Sequence, residues 1–284
     1  MTKALEVLRA DLARSMGRFF TGTADTNAVT TSIVDAEGLA RYTETDALKG
    51  ALAYIRTDAG GAGAAPEDEA RWIAAFTAGT DVITVDRVFS QAVVAGDIYE
   101  VYRAPLTKEQ WDEAINLAIQ EAWPEVYEPA EQEVVSTGAT EYALANTVED
   151  VIQVNIVGTA LSDYADLPMQ TLPRHLWTTT GVVGASLKLQ LVPYVDAVSK
   201  TLQVIHKTRF AELAKAGTTT LDWLYIMRAG KAHAYEMLAG EAGTQASAGQ
   251  YMQLMNHWSQ KAEQRKMALG KMLLGMPTIR EVKD

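Results

Sequence analysis

The most regular run of hydrophobic and polar positions in the chain lies at residues 106–124. There Trp111, Ile115, Ala118, Ile119 and Ala122 recur at helical spacing and gather on one stripe, while Lys108, Asp112, Glu113, Asn116 and Gln120 face away. Thr107 and Gln110 stand at the spacing of a capping box, Leu106 and Trp111 at the two positions of a hydrophobic staple, and Pro124 cannot continue the ladder. A helix is predicted here. Residues 3–18 repeat the pattern with Leu5, Leu8, Leu12 and Met16. Near the C-terminus, residues 219–239 carry Leu221, Leu224, Tyr225, Ala229, Ala232 and Tyr235, with Asp222 completing a capping pattern from Thr219. Residues 247–274 carry Tyr251, Leu254, Met255, Trp258, Ala262 and Leu269. Joined by a short segment holding Gly240 and Gly243, these two read as an αα-hairpin that cannot bury both stripes alone. The central helix is the expected cover, with the N-terminal helix as a candidate fourth partner, and Trp111, Ile115 and Ile119 are expected to pack on Leu224, Tyr225, Leu254 and Trp258.

Between the helices the pattern shifts to short β-branched and aromatic runs: 29–34, 52–56, 71–76, 82–85 and 97–102, each bounded by turn residues. The insert at 57–69 is Gly/Ala-rich and then acidic, which reads as a mobile surface loop, since it lacks the spacing of a phosphate-binding turn. Residues 127–146 are acidic without periodicity and read as a linker or loosely packed arm. Strand patterns resume at 151–157, at 187–191, where Leu187, Leu189 and Leu191 alternate with Lys188 and Gln190, and at 202–210. The predicted class is therefore α+β: a helical bundle, made of the central helix plus the C-terminal helical hairpin, with mainly antiparallel β-rich modules. The expected divisions are an N-terminal amphipathic helix (1–20), a β-rich module (21–105), the central helix (106–127) packing with the hairpin (216–275), an inserted β-rich region (128–215) and an extended C-terminal tail (276–284).

Composition narrows the functional classes. With 284 residues, 48% of them hydrophobic, the chain can bury real cores. No apolar run is long enough to span a membrane and the first residues are charged at every turn, so a soluble protein made in a cytoplasm is expected. The absence of cysteine removes disulfides, thiolate catalysis and Cys-based metal sites. A formal net charge of -11 argues against a general nucleic-acid or anionic-membrane binder. The charge is also unevenly spread. Residues 106–150 hold a long series of Asp and Glu against a single cation, Lys108, whereas residues 261–284 are basic, with Lys261, Arg265, Lys266, Lys271, Arg280 and Lys283. Two readings fit: solvated faces, or a complementary pair, acidic on one subunit and basic on the next.

Catalytic chemistry is hard to find. His175, His206, His233 and His257 fall in separate elements with no paired-ligand spacing, although His233 and His257 stand where they could face each other across the hairpin. There is no nucleophile elbow, no calcium-loop spacing and no phosphate loop. The expectation is a protein that is not an enzyme and needs no cofactor or metal.

The element order carries one resemblance. An amphipathic N-terminal helix, a β module ending GDIYEVYRAPL, the capped helix TKEQWDEAINLAIQEAWPEVY, a β insertion, and the helices LDWLYIMRAGKAHAYEML and YMQLMNHWSQKAEQRKMALGKML with a short MPTIREV tail resemble, as a pattern, the virion structural proteins of tailed bacteriophages, of the head-to-tail connector (adaptor or neck) kind. That resemblance implies a non-enzymatic subunit of a homo-oligomeric ring seated between portal and tail in the virion, through which DNA passes without specific binding. It also implies portal and tail or neck proteins as partners, and no membrane. A tail, baseplate or capsid-decorating protein is the alternative, as is a glycan-binding β module, for which Trp177 and Tyr194 are the aromatic candidates. In the tail, Gly275 and Pro277 stop the last helix, and Met276, Pro277, Ile279, Arg280 and Val282 are the candidate partner-binding residues, able to add as a strand or hook onto a neighbouring ring.

Overall fold

A computed structural model describes residues 2–25, 29–61, 63–157, 170–192 and 201–275. It is an α+β protein with four α-helices and several antiparallel sheets among those residues. In chain order the elements are β1 (Lys3–Ala4), α1 (Leu5–Ser15), β2 (Phe19–Thr23), β3 (Ser32–Val34), β4 (Leu52–Thr57), β5 (Ala70–Thr77), β6 (Val82–Val85), β7 (Ile98–Tyr102), α2 (Lys108–Glu121), β8 (Glu128–Val135), β9 (Glu141–Ala143), β10 (Asp150–Val157), β11 (Gln170–Thr171), a single 3-10 turn (Arg174–Leu176), β12 (Trp177–Thr180), β13 (Lys188–Leu191), β14 (Thr201–Thr208), β15 (Thr218–Thr219), α3 (Trp223–Gly240) and α4 (Gln245–Gly275). The chain divides into two compact units, 1–119 with 212–265 and 120–211 with 266–284.

The first unit is built on a six-stranded antiparallel sheet ordered β2-β7-β4-β5-β6-β3. Its two edge strands come together, because the N–H of Asp25, just past β2, donates to the carbonyl of Val34 at the end of β3 (2.9 Å) and the Asp25 carboxylate accepts from Ala36 N–H. The enclosed cluster holds Phe20, Ile33, Leu39, Ile55, Ile73, Phe76, Ile83, Phe89 and Val101. Gly22 has to be glycine: a Cβ there would stand 2.3 Å from the carboxylate of Asp35 and 2.6 Å from the hydroxyl of Tyr99. That hydroxyl donates to buried Asp35 (2.7 Å) directly over the strand. The sequence pattern does not predict β2, since a Phe pair followed by Gly and Thr offers no alternation. Strand β3 is shorter than the 29–34 run, and the insert expected to be a mobile loop is tied down. Asp97, fully buried, accepts from Ala59 N–H (2.8 Å), and Lys215 pairs with Glu67 (3.0 Å) and Asp68.

Helix α2 begins as its sequence requires. Thr107 N–H donates to Gln110 Oε1 (2.8 Å) and Gln110 N–H to Thr107 Oγ1 (3.4 Å), and Trp111, Ala114, Ile115, Ala118 and Ile119 are all buried. Helix α3 is capped by Asp222, which accepts from Tyr225 N–H (2.8 Å); Thr219 lies instead in β15, where its hydroxyl accepts from Leu221 N–H (3.1 Å). Gly230 of α3 admits Leu12 of α1, whose Cδ2 is 3.1 Å from where a Cβ would stand, with Ala114 of α2 also within contact range. The expected packing of α3 on the central helix is thus present near Ala114. One part of that expectation fails: Leu254 is 40% exposed, and the stretch of α4 from 245 to 265 buries only Ala262 fully. The reason is that α1 occupies the groove against α3, with Leu5, Leu8 and Leu12 buried.

The second unit holds a four-stranded sheet, β11-β10-β14-β8, and a three-stranded sheet, β12-β13-β9, around Tyr142, Val148, Val154, Trp177, Leu189, Leu202 and Val204. Residues 127–146 are therefore not a linker: they form β8 and β9. On the face of β10 away from that cluster a line of amides is buried. Asn155 Nδ2 donates to Gln203 Oε1 (2.9 Å), while Asn155 Oδ1 accepts from Gln153 Nε2 (2.6 Å) and Thr171 Oγ1 (3.0 Å), so a residue with no exposure at all has its polar atoms satisfied. No helix among the described residues is long and apolar enough to cross a membrane.

Candidate functional site

The densest group of charged side chains lies inside the first unit. Arg9, on the apolar side of α1, donates from Nε to Tyr102 Oη (2.7 Å), from Nη1 to Asp112 of α2 (2.9 Å) and from Nη2 to Glu100 of β7 (3.4 Å). Tyr102 donates in turn to Glu100. Glu100 Oε1 has no hydrogen-bond partner, its nearest cation being Arg56 at 3.6 Å. The ring of Tyr54 lies between Arg9 and Lys108, at 5.5 and 4.9 Å from its centroid, and its hydroxyl donates to Asp68. Burial works against the charged form of Arg9, but Tyr102, Asp112 and Glu100 outweigh it and hold the guanidinium above its ordinary pKa. Burial pushes both Tyr54 and Tyr102 up, so they stay hydroxyl donors. Burial would also raise the carboxyl of Asp68, yet hydrogen bonds from Lys215 and Tyr54 leave it below its usual range.

This group resembles an acid–base site in composition and not in access. Arg9 is 1% exposed, and Glu100 and Tyr102 not at all, so none of them presents an atom to a solute. What it does is join α1, β4, β7 and α2 through buried ion pairs. Sequence reading missed it, although two signals were present: Arg9 interrupts the Leu5, Leu8, Leu12 stripe, and Glu100 is the one charge in the strand Ile98–Tyr102.

The histidines stay apart. His175 is exposed on the 3-10 turn, and His206 is buried in β14. His233 lies 3.6 Å from Glu236, and His257 sits edge-on to Trp258. These contacts do not join His233 to His257. Among the described residues no group of three or more His, Asp or Glu side chains is placed to hold a metal ion. Trp177 is no sugar platform: it is 4% exposed, its indole N–H donates to the Leu172 carbonyl (3.2 Å) and Arg174 covers its ring at 3.7 Å. Tyr194 and the tail residues Met276, Pro277, Ile279, Arg280 and Val282 lie outside the described residues.

At the surface, the uneven charge of the sequence resolves into paired and unpaired parts. Asp112, Glu125, Glu141, Glu149 and Asp150 are neutralised by Arg9, Lys266, Lys188, Arg209 and Lys207. Arg265 is taken by Asp222 (2.7 Å), whose carboxyl that contact holds below its usual range. Within residues 106–150 and 261–275, the exposed charges without an ion-pair partner among the described residues include Glu109, Glu113, Glu131 and Glu133 on the acidic side and Lys261 and Lys271 on the basic side; elsewhere Glu37, Glu44, Glu241, Arg41 and Arg103 are also exposed without one.

No protein-family model matches the chain, and no curated protein matches it.

Proposed function

We propose that the chain is a non-enzymatic virion structural subunit of the phage head-to-tail connector kind, forming a homo-oligomeric ring between portal and tail. The observation that carries this reading is the contrast in unpaired charge between two stretches of the chain, acidic at Glu109, Glu113, Glu131 and Glu133 on α2 and β8 and basic at Lys261 and Lys271 on the last part of α4. A ring needs a heterologous contact that repeats from subunit to subunit, and charges left over in one copy can be matched on the next. An acidic balance also suits a channel that DNA traverses without being held, since a basic lining retains phosphates through counterion release. In this reading the tail, with Met276, Pro277, Ile279, Arg280 and Val282, is the joining element, and portal and neck proteins are the partners. Negative-stain images of the purified protein, alone and with the co-encoded virion proteins, test it. Closed rings are the expected result, and a monomer in both samples would refute it. A tail, baseplate or capsid-decorating role is the runner-up; the glycan-binding reading loses its described aromatic candidate with the burial of Trp177.

A further inference from the structure

We propose that the open side of β8 receives residues 278–283 of a second copy of the chain as an added antiparallel strand. This rests on the ring reading above and names the partner of the tail. Among the described residues β8 is the longest edge strand: it runs eight residues, pairs only with β14, and makes no other backbone hydrogen bond from 129 to 135. The six-stranded sheet of the first unit has no comparable edge, because Asp25 and Val34 bring its edges together.

The chemistry of that edge specifies its occupant. Proline, having no N–H, is tolerated in a strand where its nitrogen faces away from the ladder. Pro129 therefore sets which backbone groups of β8 look outward, and these are the N–H and C=O of Glu131, Glu133 and Val135. The side chains of β8 alternate likewise. Ala130, Gln132 and Val134 stand on the face of His206, Val204 and Leu202, with Val134 packed against the apolar cluster, whereas Glu131 and Glu133 stand on the other face, opposite Ile205 and Gln203. Glu131 accepts from Gln203 Nε2 (2.9 Å), and neither carboxylate has a cation among the described residues. An added strand fits if it carries a cation on the face of the glutamates and an apolar side chain on the face of Val134.

Residues 278–283 read Thr-Ile-Arg-Glu-Val-Lys. With Arg280 on the glutamate face, Thr278 and Val282 share that face, while Ile279, Glu281 and Lys283 fall on the Val134 face, Glu281 beside Gln132. A slip of one residue exchanges Ile279 for Val282 on the Val134 face and Arg280 for Lys283 on the glutamate face, and it also puts Glu281 among Glu131 and Glu133, so like-charge repulsion at Glu281 selects the first parity. The nine residues after Gly275 span roughly 30 Å when extended, enough to lie along all of β8. Donation to another copy makes the contact head-to-tail, the type that closes rings.

The test uses the full-length chain in two variants, Glu131→Lys with Glu133→Lys, and Arg280→Glu, followed by sedimentation velocity over a concentration series. Each alone should self-associate on the order of tenfold more weakly than the wild type, with an unchanged thermal midpoint. Mixed in equal amounts they should recover association, because each edge then meets a tail of opposite sign. Loss without recovery on mixing would mean that the strand is donated within one chain and would overturn the proposal. Wild-type association in both variants would overturn it too, while leaving the ring reading standing. A wild type that stays monomeric, alone and with its co-encoded proteins, would remove both.

Discussion

The two units solve the same problem of stabilising an antiparallel sheet with opposite placements of polar groups. In the first, a six-stranded sheet brings its edges together around an apolar interior and a fully buried ionic group, Arg9 with Glu100, fastens two helices to it. In the second, a four-stranded sheet buries neutral amides around Asn155 and, among the described residues, leaves the eight-residue strand β8 paired on one side only, with Glu131 and Glu133 meeting no cation. A buried ion pair is expensive to desolvate and expensive to break, so it suits a part that must not change. An open edge with charge suits a part that has still to meet a partner, since bare strands invite pairing and charges decide with whom.

The largest expected effect falls on the ionic group. Arg9→Met strands Glu100 and Asp112, of which Glu100 is wholly buried, and should cost about 3–5 kcal/mol by urea denaturation. Adding Glu100→Leu should cost less than the single change, because the orphaned charge is gone; a double variant less stable than Arg9→Met would show that the pair is not the source. Next comes Ile115→Ala in α2, at a fully buried position, at about 2–5 kcal/mol. In the second unit Asn155→Leu leaves Gln153, Thr171 and Gln203 short of partners and should cost about 1–3 kcal/mol, with faster hydrogen exchange confined to β10, β11 and β14. Asp222→Ala removes both the α3 cap and the Arg265 contact, at about 0.5–2 kcal/mol.

The same carboxylates set the response to acid. Asp222, Glu67 and Asp68 have folded-state pKa values below their ordinary ones, so their contribution is present above the unfolded value near ~4 and is lost as pH falls through the folded values. The thermal midpoint should therefore fall below about pH 4, and less steeply in Asp222→Asn. A wild-type midpoint that does not move between about pH 5 and pH 2 would contradict this assignment.

How much of this was legible in the sequence depends on the range of the signal. The cap and stripe of α2 are local, and both stand where the pattern puts them. Strand β8 was not legible, because a strand with Glu131 and Glu133 on one face and Ala130 and Gln132 on the other shows little apolar alternation until its β14 partner supplies the missing half. Arg9 and Glu100 are 91 residues apart, and nothing local announces their pairing beyond a charge in each apolar run. The position of Leu254 was misread for a related reason: periodicity shows that a helix has a stripe, and only the tertiary arrangement shows which of several stripes finds cover.

The smallest expected effect on stability belongs to the element with the largest expected effect on assembly. Deleting residues 276–284 should leave the thermal midpoint unchanged and abolish joining to the next subunit. The central claim is tested most directly by native mass measurement of the full-length and tail-deleted chains at equal concentration, each alone and with the proteins encoded beside it. The account predicts ring-sized assemblies from the full-length chain and monomers from the deletion; assemblies of equal mass from both would contradict it.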